Sequence, residues 1–240
     1  MPKKYRVQLY WQGRQASVSQ MADELWEFTA SLGELEPRLA RLRPFTREDE
    51  LLQPLTGPQH AEAVLTHWEV RWRTGAVERA SYKPGLVLDR LEDPPVRVEL
   101  VTGIEALAGL EGVWVPNRLE VLVRDDAGDD LVRPDVLLGV LRAGVRVFEP
   151  DWGFVAVDGD PVPPAPLFSK GRPEAAWVVY LSREYPADRV AVRDPSAVYA
   201  VGDLGSIVLA HPELPAPGTG SQREAVAKVE EALRAAGIAA

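Results

Sequence analysis

The chain contains no cysteine among its 240 residues. Disulfides, thiolate zinc sites and every cysteine-based mechanism are therefore excluded. Histidine is nearly as scarce, with only His60, His67 and His211. The first two are seven residues apart, about 10 Å along a helix axis, too far to share one zinc ion. His211 stands alone before a proline, so no metal or other cofactor is expected. No apolar run approaches the roughly 20 residues that a bilayer requires. The first residues lack the apolar centre of a signal peptide, which predicts a cytoplasmic protein that does not engage membrane. Positive charge is in deficit, 27 Lys+Arg against 36 Asp+Glu, for a net charge of −9. Such a chain repels nucleic acid and attracts basic partners.

What is present is an ordinary globular composition, 46% hydrophobic and 26% charged, at a length that buries a real core. Residues 5–11 alternate as a half-buried strand, with Tyr5, Val7, Leu9 and Trp11 inward and Arg6, Gln8 and Tyr10 outward. Ser17 and Gln20 form a capping box for a helix whose stripe is Val18, Met21, Ala22, Leu25, Phe28 and Leu32, with Gly33 as its stop. Further helices are expected near 46–53 and 59–73, the second carrying Leu65, Trp68 and Trp72 on one face. Beyond Gly75 the period changes to two, with strands in GLVLDRL, VRVELV and RLEVLV. Pro134 opens a helix with Leu137, Leu138, Leu141, Val145 and Phe148 on one side, ended by Glu149-Pro150. WGFVAV (152–157) is apolar on both faces and reads as a central strand. AAWVVYL, RVAVR, AVYAV and SIVLA read as short strands, followed by a helix capped by Ser221 and Glu224 and closed by Gly237. The expected fold is α+β: a mostly antiparallel sheet with helices at the N-terminus, in the middle and at the C-terminus. One domain over 1–240 is expected, with a long Pro-rich loop near 158–174.

No nucleophile elbow or phosphate loop is present, and GTGSQR (218–223) places arginine at the third glycine of a dinucleotide fingerprint. The carboxylates around WGFVAV do not form a catalytic pair. Asp151 and Asp158 are seven strand residues apart, about 23 Å, whereas glycosidase acids sit about 5–9.5 Å from each other. In RDDAGDD the third and sixth positions counted from Asp125 are Ala127 and Asp130, which breaks the register of a calcium loop. Trp11, Trp114, Trp152 and Trp177 lie in or beside strands and are expected in the core. The acidic candidates for contact with a partner are Asp125, Asp126, Asp129 and Asp130, then Asp158 and Asp160.

Several stretches together resemble the Imm52 family of bacterial immunity proteins. They are YRVQLYWQGRQASVSQMADELWEF, VPNRLEVLV, LVRPDVLLGVLRAGVRVFEPDWGFVAV, and the final third from GRPEAAWVVYLSREY through GSIVLAHPEL to the last helix. The resemblance covers nearly the whole chain outside about 44–95. It implies a protein that binds a cognate toxin and does no catalysis, supplying no catalytic residues. The toxin implied is a nuclease of restriction-endonuclease-like fold, whose cleft must be basic to hold phosphates. An acidic inhibitor can offer carboxylates in their place. Two other classes stay open: a hydrolase with a carboxylate pair assembled from separate elements, acting as an enzymatic antidote, and an adaptor unconnected with any toxin.

Overall fold

The computed structural model describes residues 3–12, 16–46, 53–74, 77–88, 94–103, 117–127, 131–157, 176–185, 198–214 and 220–238. The expected helix near 46–53, the strand RVAVR and Trp114 fall wholly or mostly outside these residues.

Eleven strands and four α-helices are described. The strands are β1 (Lys4–Trp11), β2 (Arg43–Pro44), β3 (Glu69–Thr74), β4 (Val77–Tyr82), β5 (Gly85–Val87), β6 (Val96–Val101), β7 (Asn117–Arg124), β8 (Trp152–Val157), β9 (Val178–Ser182), β10 (Val198–Val201) and β11 (Gly205–Leu209). The helices are α1 (Val18–Leu35), α2 (Pro58–His67), α3 (Pro134–Phe148) and α4 (Gly220–Ala235). Nine strands form one sheet in the order β10-β11-β9-β8-β1-β7-β6-β5-β2, while β3 and β4 form a separate pair that a single bridge, Tyr82 to Thr102, ties to the chain after β6. Every neighbouring pair is antiparallel. The fold is α+β, with the sheet as its largest element.

One face of the sheet is covered by α1 and α3, and the other is covered around β8, β9 and β11. On one face Tyr5, Val7, Leu9 and Trp11 pack with Leu25, Phe28 and Leu32 of α1 and Leu137, Leu141, Val145 and Phe148 of α3. Trp11 stacks on Phe148 with ring centroids 5.2 Å apart. On the other face Tyr10, Trp152, Phe154, Val179, Leu181 and Val208 meet Val229, Leu233 and Ile238, from α4 and the turn after it. Strand β8 lies between the two layers and all six of its residues are buried, as an apolar run with no polar face requires.

Four expectations are corrected. β1 is buried more completely than alternation suggests: Gln8 and Tyr10 lie inside because β8 brings the second core against them. α1 runs past Gly33 to Leu35, since the chain of Pro37–Arg41 folds back and places Ala40 Cβ 3.0 Å from where a side chain on Gly33 would begin. α2 ends at His67, so Trp68 is its C-cap and Trp72 belongs to β3. The spacing of Leu65, Trp68 and Trp72 mimics a helix face, but β3 gains its hydrogen bonds from β4 instead. α4 already begins at Gly220, which puts Ser221 inside the helix, and Glu224 is held by Lys228 at 2.7 Å.

The local signals at the other helix ends are realised. Ser17 Oγ accepts from Gln20 N at 3.1 Å, and Gln20 Oε1 accepts from Ser17 N at 2.9 Å. Ser17→Ala removes one half of this reciprocal cap and costs about 1 kcal/mol, read from the midpoint of urea unfolding. At the far end of α4, Gly237 takes φ 72°, and Ile238 N donates to Leu233 O at 2.9 Å. That closure turns the buried Ile238 into the second core.

Burial, and then the carboxylates of Glu149 and Asp151, push the Tyr180 phenol far above its ordinary value; its hydroxyl donates to Leu204 O at 2.9 Å. The folded chain keeps this proton to a higher pH than the unfolded chain does. The stability linked to it is whole below about pH 10 and is lost as pH rises beyond that. Tyr180→Phe therefore flattens the alkaline limb of a stability–pH curve, at a cost of about 1 kcal/mol at neutral pH for the lost hydrogen bond.

Candidate partner-binding surface

Helix α1 carries Asp23, Glu24, Glu27 and Glu34 and no lysine or arginine. At 3.6 residues per turn, Asp23, Glu27 and Glu34 fall within about 40° of one another on the face opposite the core. All three are exposed and make no hydrogen bond or ion pair among the described residues. The placement works against the helix. Asp23 and Glu27 are a like-charge pair at i,i+4, and Glu34 sits in the last turn, where the helix dipole favours cations. Helix α4 of the same chain handles charge in the opposite way. Glu224 is answered by Lys228 at 2.7 Å and Glu230 by Arg234 at 2.6 Å, each four residues on. One helix neutralises its own surface, and the other leaves a ridge of uncompensated carboxylates.

At its N-terminal end the ridge borders a cleft of about 350 Å³. Among the described residues its walls are Trp11 at the end of β1, Ala16, Gln20, Asp23 and Glu24 from the start of α1, Thr102 just beyond β6, and Asn117 at the start of β7. Trp11 and Asn117 face each other across the β1–β7 ladder, and Asn117 Nδ2 donates to Gln12 O at 3.2 Å. Thr102 is fixed by paired backbone bonds with Tyr82, 2.9 and 3.0 Å long. Its residue is only 4% exposed, yet the hydroxyl makes no hydrogen bond among the described residues.

The acidic residues singled out from sequence fare differently. Asp125 and Asp126 lie in a short 3-10 turn at the far end of β7, about 25 Å of strand from Asn117. Asp126 receives two bonds from the buried Arg124, Nε to Oδ1 at 2.8 Å and Nη2 to Oδ2 at 2.6 Å. Its carboxylate is already engaged. Asp126→Asn weakens the clasp on a buried guanidinium and lowers stability by about 1 kcal/mol, softened because the aspartate side chain is itself 43% exposed. Asp125 adds to the burial that raises the Tyr5 phenol. Asp129, Asp130, Asp158 and Asp160 lie outside the described residues. The α1 ridge was missed because no single carboxylate in it is unusual. The available signal was an amphipathic helix with four acids and no base.

One carboxylate pair from separate strands does occur. Glu99 of β6 lies directly opposite Glu120 of β7. Each is occupied: Glu99 pairs with Arg97 and with Arg118, and Glu120 accepts from Gln8, which in turn accepts from the Tyr10 hydroxyl at 2.8 Å. No group of three or more His, Asp or Glu among the described residues could hold a metal ion. No helix among them is long and apolar enough to cross a membrane.

No family model matches the chain, and no curated protein matches it in sequence. A solved structure is similar in fold: the Pseudomonas aeruginosa T6SS protein PA0821, with a TM-score of 0.61 and 14% identity, covering 99% of this chain and 76% of that one. At that identity the likeness is one of fold.

Proposed function

We propose that this chain is an immunity protein of the Imm52 kind, which protects a bacterium by binding a cognate toxin through the acidic ridge of α1. The observation that carries the reading is the row of exposed, unpaired carboxylates on a helix that would be more stable without them. Sequences tend to depart from local electrostatic optima where a function requires it. A ridge of this kind suits a basic partner, and a nuclease that grips phosphate is one. The fold shared with a T6SS protein is compatible with a role beside a secretion system, and the stretches resembling Imm52 run through the same sheet and helices. No catalysis is assigned to the chain. It acts by occupying the toxin, in the cytoplasm where an incoming nuclease would do its damage.

The test is co-expression with the toxin domain encoded beside this gene, scored first by survival and then by co-purification at one-to-one stoichiometry. Survival with a stable complex supports inhibition by binding. Death of the cells, with both proteins expressed and folded, refutes it. The second reading, an enzymatic antidote, has one observation in its favour, the facing Glu99 and Glu120. It requires survival without a complex, and loss of that survival in Glu120→Gln.

A further inference from the structure

We infer that the cleft between α1 and the ends of β1, β6 and β7 is a socket for an arginine side chain of the bound partner. This inference rests on the proposed function and assigns a specific contact within it. The ridge alone would attract any cation without selecting one. The cleft adds three features that a selective site needs. Its volume of about 350 Å³ is that of a small-ligand pocket. Its lining includes Thr102, a residue 4% exposed whose hydroxyl makes no hydrogen bond among the described residues and can meet a donor in the cleft. Its wall carries Asp23, which is likewise without a partner among the described residues and gives the site its charge.

The ligand is specified by this combination. A donor must reach Thr102 while positive charge stays near Asp23, so the group must be cationic and must donate in more than one direction. Guanidinium offers five N–H donors in a flat fork and is more weakly hydrated than an ammonium, so it enters a partly closed cleft at lower desolvation cost. Trp11 supplies the apolar wall for the alkyl stem. Its described walls come from four segments: β1, the start of α1, the residue after β6 and the start of β7. The paired bonds of Thr102 to Tyr82 and the Ser17–Gln20 cap hold two of its sides.

The probe is N-acetyl-arginine methylamide, titrated into the full ¹⁵N-labelled chain while the side-chain amides of Asn117 and Gln20 are followed by NMR. Saturable shifts with a Kd of about 1–10 mM are expected, a normal affinity for one side chain in one pocket. The neutral citrulline counterpart, which keeps the shape and loses the charge, should produce none. Asp23→Asn should weaken the probe about ten-fold and Thr102→Val several-fold, whereas Glu231→Gln, exposed on α4 and away from both ridge and cleft, leaves it unchanged. Absence of a saturable shift with the arginine probe, or equal shifts with citrulline, overturns the socket. In the complex, saturating probe should slow association with the toxin domain. A probe that binds without doing so overturns the anchoring role. Failure of the socket while the toxin still binds leaves the ridge standing, and failure of the toxin to bind refutes the ridge irrespective of the probe.

Discussion

Replacing Asp23, Glu27 and Glu34 together by asparagine, glutamine and glutamine is expected to slow association with the toxin domain by about ten-fold or more at low salt, and to flatten its salt dependence. Long-range attraction between an acidic ridge and a basic cleft acts mainly on the encounter rate, and salt screens it. Stability should move the other way. The triple variant removes an i,i+4 repulsion and an anion at the negative end of the helix dipole, so unfolding becomes harder by up to about 1 kcal/mol. Stopped-flow association at two ionic strengths, paired with urea unfolding, reads both. A variant that binds at the wild-type rate at low salt removes α1 from the interface. One that binds poorly because it is unfolded is identified by the second measurement.

Gly153→Ala is expected to destabilise the fold by about 2–4 kcal/mol, or roughly 5–15 °C in Tm. Gly153 lies opposite Leu9 in the β1–β8 ladder. A Cβ there would sit 2.3 Å from Leu9 Cδ2 and 2.6 Å from the carbonyl oxygen of Gln8. A leucine end can rotate aside, but the backbone oxygen of a central strand cannot move without parting β1 from β8. Thermal unfolding followed by circular dichroism checks this. A loss under about 0.5 kcal/mol would mean that the two strands tolerate local spreading.

Where local chemistry and packing agreed, the sequence was legible. WGFVAV is apolar on both faces because α3 and α1 cover one side of the sheet and α4 the other. The stripe of α3 and the Ser17–Gln20 cap could be read for the same reason: the pattern, the cap and the buried side coincide. Legibility failed where a pattern fitted two structures. Leu65, Trp68 and Trp72 are spaced as on a helix, and only the pairing of Trp72 with Arg79 across the β3–β4 hairpin decides otherwise. That pairing is a relation between residues that periodicity cannot express. Gly33 looked like a stop because glycine often is one, but the turn after it folds back over it. The acids of α1 escaped notice for a related reason. RDDAGDD draws attention as a run, but in space Asp126 answers Arg124, while the spaced acids of α1 answer nothing on their own helix.

The position of β1 has a kinetic consequence. Although first in sequence, it is the fifth strand of the nine-stranded order, with β7 and β8 on its two sides. Lys4 must find Arg124, and Tyr5 must find Val157, 152 positions later. On a ribosome this segment waits for its strand partners until β7 and β8 have emerged. Loops of that size are slow to close, because their entropy is lost before any pairing compensates for it. The central pairing of β1 is then a late event, and newly made protein passes through an interval in which chaperones have a substrate to hold.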